Sequence, residues 1–197
     1  MLPPTLPIQP LKRSTDIPSL AADLLLHEMV SSVWSRSECC MEEASLLIAE
    51  MGRSTGADLA AKVLISRPIS VSSSSLPGSS PTSSQTGLSS TDAVKLLCKS
   101  FWQVAFGKPA DKLQSNGVDT YVIDDSSFLY FARLYGCCVP EGGTSDQEEF
   151  KDRKNLIGIF VTGLISGALE IFGCKSRAKF DVNVAPPSIR IVIIAEI

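Results

Sequence analysis

The chain has 197 residues, 44% hydrophobic and 20% charged, which is enough to bury one sizeable core and favours a single domain with extra loops. Its net charge of −3 argues against nucleic-acid binding, because phosphate recognition needs clustered lysine and arginine. The six cysteines include two adjacent pairs, a spacing typical of neither a zinc site nor a disulfide framework, so we expect buried, reduced thiols in a cytosolic protein.

Residues 1–15 form a proline-rich leader, which we expect to be flexible. The leader has neither the basic start nor the long apolar core of a secretory signal. The chain is therefore predicted to face the cytosol, with any membrane association made through partners or a lipid. The remaining residues, 16–197, are predicted to form one domain.

Two helices with wide apolar faces are predicted after the leader. Asp16 and Pro18 indicate the start of the first helix, whose apolar residues recur at helical spacing. The second helix should run from about residue 38 to residue 65, with Gly52 and Gly56 as a weak point or break. Together the two helices carry more apolar surface than one small sheet can cover, which is typical of an interface.

Residues 70–90 are rich in serine and carry no charge, a composition typical of a flexible segment that buries no core. We predict a disordered insertion between helices here. Thr91 and Asp92 then indicate the cap of a third helix. Two aromatic residues of this helix, Phe101 and Trp102, should face the core.

Four strands and one further helix are predicted in the rest of the chain. Asn116 and Gly117 precede a strand at 121–123, and a short turn separates it from a second strand at 128–131. A polar loop from 140 to 154 should lead to a helix over 156–172. Two strands, near 179–184 and 189–197, close the chain.

The helix over 156–172 is almost wholly apolar and is therefore predicted to be buried. Its unbroken apolar run is shorter than the roughly 20 residues needed to cross a bilayer. Gly163 and Gly167 put small residues on one helical face. We expect another backbone to come close there, either a sheet in the same chain or a partner's helix.

No residue pattern indicates catalysis, a cofactor or a metal site. His27 is the only histidine and lies in an apolar helical run, where packing is a more usual role than general base. A cysteine nucleophile would need that same histidine. Asp124 and Asp125 lack further oxygen ligands at metal-binding spacing, and are predicted to be a solvated hairpin tip. The chain is predicted not to be an enzyme.

Several segments, in collinear order from about residue 20 to the C-terminus, resemble the small-subunit family of the trafficking protein particle (TRAPP) complex. Within that family the resemblance is to the subunit six branch. The central signature comprises residues 97–106, then 111–113, 116–117 and 121–123. Residues 25–30, 51–59 and 160–169 resemble the family's first, second and last helices.

The resemblance implies an α/β (α+β) fold, with helices covering one face of a small twisted antiparallel β-sheet. It implies a non-catalytic subunit, without a cofactor, of the complex that tethers vesicles in ER-to-Golgi and Golgi transport. As an assembly, that complex promotes nucleotide exchange on a Rab-type GTPase. Such a subunit is cytoplasmic and peripheral at cis-Golgi and endoplasmic reticulum membranes. The founding branch carries an acylated cysteine near its third helix; the serine-rich segment stands there without a cysteine, so acylation is not implied.

The resemblance also implies a heterodimer with the founding small TRAPP subunit through the first two helices. The predicted interface consists of large apolar residues on those helices: Leu20, Leu24, Leu25, Met29, Val33, Trp34, Leu47 and Met51. An alternative function is a small-molecule or lipid-binding module that uses the apolar helix layer over the sheet as a pocket. That function would also need convergent polar groups, for which the sequence offers few candidates.

Overall fold

The computed structural model describes residues 17–36, 40–66, 88–128, 130–132 and 144–196, including all side chains except those of residues 17–23, 34 and 144–149. The elements in chain order are α1 (Ile17–Arg36), α2 (Met41–Ile65), α3 (Ser90–Leu96), a π-helical turn (Leu97–Phe101), α4 (Trp102–Phe106), β1 (Lys112–Ser115), β2 (Thr120–Asp125), α5 (Thr144–Ile171), β3 (Ser176–Phe180) and β4 (Ile189–Ala195). The leader and most of the serine-rich segment lie outside the described residues, so their flexibility and the domain limits stay predictions.

The four strands form one antiparallel sheet in the order β1-β2-β4-β3. Along β4, Ile189, Ile191 and Ile193 are buried, whereas Arg190 and Ile194 are exposed. Because alternate side chains of a strand point to opposite faces, one face of the sheet lies on the core and the other points away from it. The helices therefore cover one face, and the predicted α/β (α+β) class is confirmed.

Helix α5 lies at the centre of the core. Leu156, Val161, Ile165 and Leu169 are fully buried, which confirms the prediction of a buried apolar helix. By length and composition Phe150–Ile171 is long enough to cross a membrane, although its uncharged run from Leu156 to Leu169 is shorter, as predicted. Of the most apolar 18-residue stretch of this helix, 61% is buried inside the fold, as is usual for a core helix. The helix also begins earlier than predicted, within the expected polar loop.

Helices α2 and α5 cross in direct backbone contact, and glycines on both helices permit this. A Cβ atom added to Gly52, Gly56, Gly163 or Gly167 would overlap a backbone carbonyl oxygen of the facing helix. The prediction that Gly52 and Gly56 weaken or break α2 is wrong, because α2 is continuous and its glycines are packing positions. The backbone that approaches Gly163 and Gly167 is that of α2 in the same chain, which differs from both expectations.

The third predicted helix is a continuous run with a π-helical turn in its middle. It begins at Ser90, slightly before the predicted cap, because the Ser89 hydroxyl accepts a hydrogen bond from the Asp92 amide at 3.1 Å. The aromatic residues of this run, Phe101 and Trp102, are fully buried, so the prediction that they face the core is confirmed.

The predicted strand at 128–131 is wrong. Residues 130–132 are helical, and the rings of Phe128 and Phe131 pack in the core with centroids 5.3 Å apart. Aromatic residues three positions apart share one side of a helical turn, and a short apolar run does not distinguish helix from strand. The hairpin partner of β2 is instead β1, across the turn at Asn116 and Gly117. The final strand pair is confirmed, although β3 begins three residues earlier than predicted and ends at Phe180 instead of residue 184.

Gly56→Ala is expected to lower the free energy of unfolding by about 1–3 kcal/mol, because the added methyl group meets the Leu164 carbonyl and forces the two helices apart. This range is the net loss, after the gain of about 1 kcal/mol that alanine brings in helix propensity. Denaturant unfolding measures the change. Ser54→Ala, at an exposed site on the same helix, is the matched control and should stay within about 0.5 kcal/mol of wild type. Equal stability of the two variants would contradict the crossing geometry.

Candidate interaction surface

The outer sides of α1 and α2 carry large apolar side chains that the described part of the chain leaves exposed. Leu24 and Leu25 of α1 are 62% and 71% exposed, and Leu46 and Leu47 of α2 are 73% and 52% exposed. On α2, Ile48 points into the core, so the two residues before it lie on other sides of the helix. We call these four residues the exposed leucine set. Large uncovered apolar side chains on adjacent helices are typical of a protein-protein contact.

The eight predicted interface residues fall into different environments. Three are exposed: Leu24, Leu25 and Leu47. Two pack partly against the core: Met29 and Met51. The side chains of two more lie outside the described residues: Leu20 and Trp34. Val33 is buried in the chain's own core and offers a partner little surface. The interface itself stays a prediction.

Leu46 is exposed on α2 but is not among the predicted interface residues. The buried side of α2 runs through Ala44 and Ile48, and Leu46 lies off that side. A large leucine that cannot reach the core is either exposed or covered by another chain, so its position next to Leu47 is the sequence signal for this residue.

The histidine and the cysteines form no catalytic arrangement among the described residues. His27 is half-buried on α1, and its Nδ1 lies 3.5 Å from the Ser31 hydroxyl one turn away, at the limit of a hydrogen bond. Cys98 and Cys174 are buried and free, as predicted, whereas Cys40 is exposed, which corrects the expectation of a buried thiol there. Burial raises the pKa of Cys98 to about 12, so this thiol stays protonated and is a poor nucleophile.

Asp125 is buried, which corrects the prediction of a solvated hairpin tip. Its carboxylate accepts hydrogen bonds from Trp102 Nε1 at 3.0 Å and from Lys108 Nζ. Lys108 also contacts Asp111 at 2.9 Å, and Asp111 accepts from both the hydroxyl and the amide of Ser126. These two hydrogen bonds, with Lys108, lower the pKa of Asp111 to about 2. These contacts form a polar cluster around Asp125 and Lys108 that ties the end of β2 to α4.

No metal site emerges from the described residues. No group of three or more histidine, cysteine or acidic side chains in that part of the chain could hold a metal ion. A surface cavity of about 460 Å³ is lined by Arg53, Glu170, Lys175 and Glu196 among others. Arg53 and Glu170 form an ion pair there at 2.7 Å. The small-molecule alternative stays a prediction.

The fold and the exposed leucine set define a small α+β domain in which helices cover one face of an antiparallel sheet and the outer helices keep apolar side chains on the surface. The chain belongs to the transport protein particle (TRAPP) component family, whose model matches residues 22–191. The resemblance inferred from the sequence segments is thereby confirmed.

The curated relatives are similar to about half of this chain. Trafficking protein particle complex subunit 6A of Bos taurus is 30% identical over 95 residues, which are 48% of this chain and 54% of the relative. The Mus musculus protein of the same name is 33% identical over 95 residues, with the same shares of both chains. The chain thus spans about half the length of the curated relatives it matches. These similarities support the subunit six branch.

A solved structure shows the same fold over nearly the whole chain. It is a crystal structure of a trafficking protein particle complex subunit 3 from Naegleria fowleri, covalently bound to palmitic acid. The two chains are 15% identical with a TM-score of 0.58, and the match covers 91% of this chain and 97% of the other. At this identity the match establishes the shared architecture of helices over a sheet.

Asp125→Ala is expected to lower the free energy of unfolding by about 1–3 kcal/mol, because it leaves the buried Trp102 Nε1 without its acceptor. Thermal and denaturant unfolding at neutral pH measure the loss. The neighbouring Asp124→Ala is the matched control: Asp124 pairs with Arg190 at the surface, and losing such a pair should cost less than about 1 kcal/mol. If the Asp124 variant were the less stable of the two, the structural role of the buried cluster would be refuted.

Proposed function

We propose that this chain is a non-catalytic subunit of the TRAPP vesicle-tethering complex, acting in ER-to-Golgi and Golgi transport. The observation that carries the proposal is the family match over residues 22–191, supported by the similarity to subunit 6A proteins. In this role the chain is cytoplasmic and reaches the cis-Golgi and endoplasmic reticulum membranes through the assembled complex. Its work is to hold neighbouring subunits in place.

The proposed contact with the founding small TRAPP subunit uses α1 and α2. Leu24, Leu25 and Leu47 form its centre, because they are large, apolar and exposed. Met29 and Met51 lie at its border, since part of each side chain packs against the core. Leu46 joins the contact as the most exposed leucine of α2. A partner that covers these side chains removes apolar surface from water, which is a favourable contribution to association.

Leu24→Glu combined with Leu47→Glu is expected to abolish formation of the heterodimer. A central interface residue contributes about 2 kcal/mol or more, so each substitution should weaken binding by roughly 30-fold. Light scattering should show a one-to-one complex of the wild-type chain with the founding small subunit and separate monomers for the variant. Both sites are exposed, so the circular-dichroism spectrum should remain that of the folded chain.

The matched control for this test is Val104→Glu combined with Val118→Glu. Both valines are exposed, and neither is on α1 or α2, so the control adds the same charge elsewhere. It should form the heterodimer as the wild type does. Unchanged binding by the leucine variant would refute this interface, and a wild-type chain that ignores the partner would refute the proposed subunit role.

The chain alone is expected to cause no nucleotide release from a Rab-type GTPase, whereas the assembly that contains it should accelerate release. Fluorescent GDP dissociation, measured with the isolated chain and with the reconstituted complex, tests this. The assembly prepared with the leucine variant should lose the acceleration that depends on this subunit, and the valine control should keep it. Release catalysed by the isolated chain would overturn the non-catalytic assignment.

A further inference from the structure

The face of the sheet opposite the helices is basic, although the chain as a whole has a net charge of −3. Residues opposite one another in antiparallel strands point to the same face. Asp125 points into the core, so Asp124 points away, together with the residues paired to it in β1 and β4. Extending the alternation to β3 places four bases and one acid among the charged strand residues of this face: Lys112, Arg177, Lys179, Arg190 and Asp124.

Only part of this positive charge is neutralised by the described residues, although Asp181, the residue after β3, lies opposite Arg190 and adds an acid to this face. Arg190 pairs with Asp124 at 2.6 Å, and Arg177 pairs with Glu196, the residue after β4, at 3.1 Å. The Arg177 pair is weak, because the arginine and glutamate side chains are 77% and 51% exposed to water. Lys179 forms no ion pair within the part of the chain that the structure describes. The β3 side of the face therefore has positive charge available for a partner.

Strand β3 lies at an edge of the sheet, and no described strand pairs with its outer side. At one end the Glu196 amide donates to the Lys175 carbonyl at 2.8 Å. At the other end the Asp181 amide donates to the Arg190 carbonyl at 3.0 Å. Residues that bond to the neighbouring strand alternate along an antiparallel ladder, so the intervening even-numbered residues direct their backbone groups away from β4. These residues are Ser176, Ala178 and Phe180.

We propose that this edge binds an extended acidic segment of another protein, which adds a strand beside β3. The outward amide and carbonyl of Ala178 would form hydrogen bonds with the backbone of the added strand. Carboxylates on one side of that strand would lie next to Arg177 and Lys179. Apolar side chains on its other side would contact Ala178 and Phe180, which are only partly buried. The segment that fits therefore alternates acidic and apolar residues.

The charge and the edge together favour a protein strand at β3. The other edge strand, β1, has four residues and contributes a single base, Lys112, to the open face. An anionic membrane would be attracted by the bases but would not use the outward backbone groups of β3. The surface lies across the sheet from the helix layer, so this proposal does not rest on the heterodimer through α1 and α2.

The test uses the full chain and a fluorescent octapeptide that alternates glutamate and valine. Fluorescence anisotropy should show saturable binding of this peptide. Two altered peptides should bind at least about tenfold more weakly: one with the same composition but its four glutamates in a block, and one with N-methylated amides, which cannot pair with β3. Equal binding of all three peptides would overturn strand addition.

Arg177→Glu combined with Lys179→Glu should weaken binding of the alternating peptide by at least about tenfold, because the carboxylates then meet like charge. The matched control, Lys99→Glu combined with Lys151→Glu, makes the same change in net charge at exposed sites away from the sheet and should change affinity by less than about twofold.

Ala178→Pro removes one outward amide without removing a hydrogen bond to β4, so it should also weaken binding of the alternating peptide. Ala178→Val keeps the amide and should bind the peptide as the wild type does. Because the proline could disturb the strand itself, the N-methylated peptide provides the same comparison on the intact chain. Vesicles with and without anionic lipid complete the test. Binding to anionic vesicles without selective binding of the alternating peptide would overturn the proposal in favour of a membrane surface.

Discussion

The backbone contact between α2 and α5 is the constraint on which the rest of the domain depends. Gly163 and Gly167 bring α5 against α2, and Gly158 on the same helix leaves room for the Phe180 ring of β3. Helix α5 is thus held between a helix and a strand, and α2 forms a layer beyond it. Besides α5, helix α2 contacts α1 and the helical run that precedes β1, and its remaining side faces away from these elements. Leu46 and Leu47 remain outside because the glycines, rather than the leucines, occupy the crossing.

Polar contacts fix the ends of two strands of the sheet. Asp125 anchors β2 through Trp102, and Lys154 of α5 donates to the carbonyls of Val182 and Val184 at 2.9 and 3.0 Å. Burial lowers the pKa of Lys154, and the two carbonyls compensate for part of its lost hydration. The loop between β3 and β4 is therefore tied to α5. The same tie holds the end of β3 whose outward groups form the proposed binding edge.

The sequence reveals most where a periodic pattern is long. The apolar spacing predicts α2, α5 and the alternation of β4, because each of these elements buries one regular side. The pattern does not identify which element packs against Gly163 and Gly167 of α5. Glycine spacing indicates that another backbone comes close, but it does not say which one. The burial of Asp125 is not predicted for a related reason. It depends on Trp102 and Lys108, which are distant in the chain and show no periodic relation to Asp125.

The two proposed surfaces lie on different layers, and this separation has a consequence for assembly. Helix α2 packs on α5, and α5 packs against β3, so a partner on α1 and α2 and a strand added at β3 would meet different elements. We therefore expect that both surfaces can be occupied at once. Coupling between them would require α5 to shift, and the glycine contacts oppose a shift because the two backbones already touch. The contacts also differ in physical character: an apolar helix seam persists at high salt, whereas a basic edge weakens as screening increases. A subunit built in this way can keep a permanent neighbour on its helices while a charged segment on its sheet binds and leaves.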